Sequence, residues 1–213
     1  MRIKRILILS SAILCMLTAI QGRTIRDFFA SEPGRIFTLL PSNTRLDLLD
    51  YFDSGKIVWA QNNLGNGTSL SAVDSTSITV VTSESKTVQL RLLTQGSKDS
   101  VIAVIETVRT PVPDSRITFY NTRWERLPDG KKFKKPSLSD FFLSRVSKSQ
   151  RQSLLETLPF TLVELEFIDG GRLVARQHLK EFLSKEDFAQ FRPHVMDSLV
   201  FVVNGTRIKP LKH

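Results

Sequence analysis

Between Ser69 and Leu127 the chain presents five runs rich in β-branched and aromatic residues: SLSAVD, SITVVTS, TVQLRLL, SVIAVIETV and RITFYNTRWERL. The joints between them, at Glu84 to Lys86, Gly96 to Asp99 and Pro111 to Asp114, are too short for the crossover that a parallel pair needs. Each run must therefore pair antiparallel with its neighbour, with Asn66-Gly67 read as the turn that opens the series. Val88, Leu90 and Leu92 alternate with Gln89 and Arg91, so that strand has one wet face and one that needs a cover.

Two helices upstream supply the cover. Thr24 with Asp27 three residues on forms a capping box, and Ile25, Phe28 and Phe29 make one apolar face that ends near Pro33-Gly34. Asn43 is the expected cap of the second helix and Gly55 its stop, with Leu46, Leu49 and Phe52 as the core stripe.

The pattern partly recurs downstream. Residues 137–158 have Ser137 or Ser139 as caps and apolar side chains at Phe141, Phe142, Val146, Leu154, Leu155 and Leu158, enough for one broken or two short helices. TLVELEF, the turn Asp169-Gly170-Gly171 and a return strand from Arg172 follow. Ser184 with Asp187 opens a short helix, and SLVFVVNGTRIKP closes the chain as a hairpin around Asn204-Gly205. The expected class is α+β, with helices packed on antiparallel meanders in two helix-then-sheet halves. These are residues 23–128 and 137–213, joined by a basic linker at 129–136, with the second half expected to pack on the first.

The first 22 residues read as a signal peptide. Arg2, Lys4 and Arg5 precede the uncharged run ILILSSAILCMLTAIQG, which is short for a stable membrane span, and cleavage is expected near Ala19 or Gly22. An uncleaved anchor is the alternative. The bulky Leu14 before Cys15 argues against lipidation. Cleavage beyond Cys15, the single cysteine, leaves a mature chain without disulfide, thiol nucleophile or zinc–cysteine site.

Removing residues 1–22 takes three basic residues and no acid, so the formal charge falls from +9 to +6. Lys131, Lys132, Lys134 and Lys135 surround Phe133 in DGKKFKKP, between Pro128 and Pro136. A solvated linker accounts for these lysines better than a nucleic-acid contact does. His178, His194 and His213 lie far apart, and no phosphate loop or nucleophile elbow is present, so neither a metal nor a cofactor is expected.

The runs TRLDLLDYFDSG, NNLGNGTSLSAVD, TSESKTVQLRLL and PDSRITFYNTRWERLP resemble a family of small secreted proteins of unknown function from bacteria of the order Bacteroidales, over about residues 24–140. The resemblance implies export and carries no assigned activity or site. In element order the halves are also similar to β-lactamase-inhibitor-like and PepSY-like folds, a likeness of topology alone. Asp74-Ser75-Thr76, Asp99-Ser100-Val101 and Asp197-Ser198-Leu199 resemble the O-glycosylation acceptor pattern of exported proteins in that group, making Ser75, Ser100 and Ser198 candidate acceptors.

Two constellations are candidates for binding. Asp47, Asp50 and Asp53 recur at every third position and form a loose row drifting about 60 degrees per step on a helix. The simpler reading is a solvated face, although Asp53 in the last turn opposes the helix dipole and calls for a cation such as Arg45, Lys56 or a downstream arginine. Tyr120, Trp124 and Arg126 share one side of an extended strand and would make an aromatic–arginine contact surface, against the simpler reading of Trp124 as core. Glu164 and Glu166 read most simply as the wet face of a strand. The sequence thus points to an exported, non-enzymatic binding module of the periplasm or cell surface, whose partner is a protein or envelope component. The alternative is an envelope-polymer hydrolase using carboxylates such as Asp47, Asp50, Glu164 or Glu166 brought together by the fold.

Overall fold

The computed structural model describes residues 22–56, 58–95, 99–128, 130, 132–158, 160, 162–168 and 171–211. The signal-peptide reading falls almost wholly on residues 1–21, outside the described residues, as does His213. Helices α1 (Ile25–Ala30) and α2 (Ser42–Asp53) precede six strands: β1 (Ala60–Gln61), β2 (Gly67–Val73), β3 (Ser77–Ser83), β4 (Lys86–Gln95), β5 (Asp99–Val108) and β6 (Asp114–Asn121). They form one antiparallel sheet in sequence order. After a 3-10 turn (Leu138–Phe141) and α3 (Lys148–Thr157) come β7 (Val163–Ile168), β8 (Arg172–Gln177), α4 (Leu179–Phe182), α5 (Lys185–Phe191), β9 (Ser198–Asn204) and β10 (Arg207–Pro210). These four strands make a second antiparallel sheet in the order β10-β9-β8-β7. The architecture is α+β, as the patterning predicts.

The local signals explain most element ends. Thr24 and Asp27 form the expected reciprocal cap, with Thr24 N donating to Asp27 Oδ2 at 2.7 Å. Gly55, at φ +67°, closes α2: its N–H donates to Phe52 O and that of Lys56 to Tyr51 O, the paired bonds of a Schellman stop. The expected cap at Asn43 is incorrect. The helix begins two residues earlier, at Ser42 after the cap Pro41, and makes no side-chain cap bond. The Asn66-Gly67 turn is likewise displaced, because the loop runs from Asn62 to Asn66 and Gly65 holds the left-handed position.

The stripe assigned to α2 is also corrected. Leu46 is 51% exposed, and the buried row is Arg45, Leu48 and Leu49 with Phe52 partly covered, an i, i+3, i+4, i+7 stripe with an arginine in its first place. Arg45 lies 3.6 Å from the buried Glu32 carboxylate and donates to the carbonyls of Leu40 at 2.8 Å, Ala30 at 3.1 Å and Glu32. Glu32 in turn accepts the backbone N–H groups of Gly34, Arg35, Ile36 and Phe37. The pair therefore folds the loop between α1 and α2 around itself, with both Glu32 oxygens and both Arg45 Nη groups hydrogen-bonded, while Arg45 Nε is buried without a partner among the described residues.

The six-stranded sheet is the middle layer. Leu70, Ile78, Val80, Val88, Leu90, Ile102 and Val104 face α1 and α2. Leu93, Val101, Ala103, Ile105 and Phe119 face the second sheet, meeting Val163, Leu165, Phe167, Leu173, Ala175 and Phe201. The unbroken apolar run in β5 is thus a strand covered on both sides. The helices of the second half form a smaller core of their own around Leu138, Phe142, Phe191 and Val195.

At the junction of the sheets, β7 is an edge strand paired only with β8. Its outward amides are met by side chains of the first sheet: Val163 N donates to Asp114 Oδ1, Leu165 N to Ser115 Oγ, each at 2.9 Å, and Phe167 N to Gln89 Oε1 at 2.8 Å. Gln89 Nε2 also donates to Phe167 O at 2.9 Å, so the supposedly wet face of β4 is in part an intersheet contact. Three side chains stand in for a missing strand and leave no bare edge there.

The basic segment is not simply solvated. Phe133 is buried, with its ring 5.0 Å from that of Phe201, while Lys135 Nζ reaches Asp114 at 2.5 Å and Lys132 Nζ reaches Thr206 Oγ1 at 3.1 Å.

Candidate functional site

Asp47, Asp50 and Asp53 are all exposed on α2. Asp53 pairs with Arg26 of α1, an upstream arginine rather than Arg45, Lys56 or a downstream one, because Arg45 is engaged inside. Glu164 and Glu166 lie on the far side of the six-stranded sheet from α2, so the fold does not bring these carboxylates and the aspartates together. Each glutamate pairs with an arginine, Glu164 with Arg109 at 3.3 Å and Glu166 with Arg176 at 2.6 Å, and Glu164 Oε2 also lies 3.2 Å from His178 Nε2. His178, which stands alone in the sequence, is therefore part of a small polar cluster. Among the described residues, no three His, Cys, Asp or Glu side chains are grouped to hold a metal ion.

The run Phe119 to Arg126 is not one extended strand, which corrects the shared-side reading of Tyr120, Trp124 and Arg126. β6 ends at Asn121, whose Oδ1 accepts the N–H groups of Arg123 at 2.9 Å and Glu125 at 3.0 Å. The chain then doubles back so that Arg126 bridges Tyr120. Trp124 sits at the bend with φ +61°, a conformation uncommon for a bulky residue. It is 3% exposed, packed 5.6 Å from the Tyr120 ring, with its indole N–H buried and without a partner among the described residues. Arg35 secures the bend by donating to Trp124 O at 2.9 Å. Tyr120 is half-buried, and burial pushes its phenol pKa up, with Glu106 adding to the shift. Of the three, only Arg126 is exposed.

Ser75 lies exposed in the β2–β3 turn, and Ser198 is exposed at the start of β9. Ser100 is half-buried within β5, opposite Thr94. Asp74 holds the β2–β3 turn together, since its Oδ1 accepts from Thr76 N at 2.6 Å and Ser77 N at 2.8 Å.

A feature that strand and helix patterning does not single out lies at the free edge of the first sheet. Trp59, immediately before β1, is 55% exposed. Its indole lies against β2 where Gly67 has no side chain: a Cβ there would meet Trp59 Cε3 at 3.0 Å. Glycine thus lets the ring rest on the backbone, as an aromatic covers a glycine across a strand pair. Beside it opens a depression of about 700 Å³ lined by Asn66, Ser83, Glu84 and Ser85. A second hollow, about 220 Å³, adjoins it through Asn66 and Ser83 and runs along the Ile36–Leu40 turn. The available sequence signal was a tryptophan two residues before a partner of Gly67. A separate apolar groove of about 450 Å³ runs between residues 133–136 and β9–β10.

A family model described as "Protein of unknown function (DUF3256)" matches residues 17–207. The chain belongs to this family. The DUF3256 match runs well past residue 140, where the resemblance in sequence fades, and takes in the second sheet almost to its end. A domain of an uncharacterized protein from Porphyromonas gingivalis W83 is similar in structure, with a TM-score of 0.77 and 23% identity over 89% of this chain and 98% of that chain. At that identity the likeness concerns the fold alone. No curated protein matches the chain.

Proposed function

We propose that this DUF3256 protein is an exported, non-enzymatic binding module of the periplasm or cell surface, working through the open edge of its first sheet. The observation that carries the reading is the contrast between the acids and the exposed indole. Glu164 and Glu166 are held by arginines and the aspartates lie across the sheet from them, whereas Trp59 is fixed on Gly67 beside an open depression of about 700 Å³. Exposed aromatics that are held rigid contribute contact area at little cost in side-chain entropy. Export is supported by the basic, then apolar start of the chain. Glycosylation of Ser75 or Ser198, both exposed, belongs to the same proposal; Ser100 is the least accessible of the three.

Intact-mass measurement of protein recovered from native envelopes tests export: loss of roughly the first 19 to 22 residues is expected, and full-length protein or a lipidated Cys15 overturns it. Retention of an envelope component by immobilised wild type, lost in Trp59→Ala and kept in Asp47→Asn and Asp50→Asn, tests the surface. Loss in the folded aspartate variants would move the site to α2.

A further inference from the structure

We propose that the Trp59 surface binds a neutral oligosaccharide; this rests on the binding-module reading above and gives its ligand a chemical class. An indole face is electron-rich, and the C–H face of a pyranose ring is its natural complement: flat, weakly positive and apolar on one side. Hydroxyls at the ring's rim then need donors and acceptors, because a polar group taken from water without a partner is costly. Asn66, Ser83, Glu84 and Ser85 provide amide, hydroxyl and carboxylate groups in that position. Among the described residues their side chains are not engaged in other hydrogen bonds, which leaves them available to a ligand.

Three further features narrow the class. The lining of the larger depression carries Glu84 as its one formal charge, and Lys86 in the adjoining hollow is neutralised by Glu106 at 2.8 Å, so an acidic sugar gains nothing there. The two hollows join at Asn66 and Ser83, giving a track for consecutive rings rather than a closed pocket for one. The platform is already in place, since the ring is seated on Gly67 and the loop beside it is tied by Asn62 Oδ1, which accepts from Leu64 N at 2.9 Å and Asn66 N at 3.1 Å.

The test titrates the full mature chain with cello-, chito-, manno- and xylo-tetraose at millimolar concentration, read by calorimetry and by tryptophan emission. Trp124 is buried, so a change in emission on binding reports Trp59. At least one tetraose should bind, Trp59→Ala should weaken it about tenfold or more, and Trp59→Tyr should retain part of the affinity. The paired change Asn66→Ala with Ser83→Ala, which leaves the Trp59–Gly67 contact intact, should also weaken binding and guards against a Trp59→Ala variant that fails to fold. Absence of binding to all four sugars, or binding that survives Trp59→Ala in a folded protein, overturns the inference. Mild periodate treatment of the envelope extract separates the two levels. Retention abolished by periodate and resistant to protease is expected. Retention that resists periodate but needs Trp59 overturns the sugar while leaving a binding module, and retention of nothing overturns both.

Discussion

Arg45 is where a charged residue occupies a place that helical periodicity reserves for an apolar one. Burial pushes its guanidinium pKa down and Glu32 opposes the shift, yet the group keeps its charge because carbonyls and a carboxylate surround it. Arg45→Met should destabilise the protein by about 3 to 5 kcal/mol in urea titration, since it leaves Glu32 buried without its cation. Leu49→Ala should cost about 2 to 5 kcal/mol by the cavity it leaves. Leu46→Ala and Asp50→Asn, on exposed positions, should stay within about 0.5 kcal/mol. The sequence could not reveal Arg45 as a core residue, because arginine is seldom buried and its carboxylate partner sits 13 residues upstream in a loop. Trp59 escaped for a related reason: its value depends on the absence of a side chain at Gly67, across the strand pair.

Two caps whose partners lie within one turn were legible, whereas Ser147 with Gln150, at the head of a helix with no fully buried residue, was not; pairings were legible where the joint is two or three residues long. Thr24 with Asp27 and Ser184 with Asp187 are of the first kind, and the β3–β4 and β9–β10 hairpins of the second. β1 was invisible because two residues have no period, and the bend after Asn121 was hidden because Phe119 to Arg126 alternates as a strand would. The cap of α1 also has a pH signature. The Thr24 backbone N–H, and then its hydroxyl, hold the Asp27 carboxyl below the ordinary aspartate range. At Asp74 desolvation pulls the other way, but the Thr76 and Ser77 bonds prevail and its pKa is also lowered. A carboxyl whose folded pKa is depressed stabilises fully above its unfolded value, about 3.9, and that contribution is lost as pH falls through the lower folded value. Thermal melts should therefore drop more steeply below about pH 4 for wild type than for Asp27→Asn, which has no such proton to take up. Equal slopes would mean that the cap is not formed in solution.

At the scale of the molecule, the first helices and the four-stranded sheet pack on opposite faces of the six-stranded sheet, so the cores of the two halves meet in one middle layer. We propose that the basic linker at residues 129–136 divides the sequence but not the stability. Fragments 23–128 and 132–213, made separately, should each aggregate, and made together should be recovered as a one-to-one complex by size exclusion with mass detection. Two soluble, folded monomers would contradict this. The side-chain caps on β7 add an order of events. Asp114, Ser115 and Gln89 come from strands β6 and β4, and their acceptors line up only when both strands have paired with β5 between them. The amides of Val163, Leu165 and Phe167 thus gain partners late, and the first sheet acts as a template on which the second is laid, in the direction in which the chain is synthesised. Pulse labelling during refolding should show protection at β4 and β5 before these three amides, and Gln89→Ala should delay Phe167 more than Ile105.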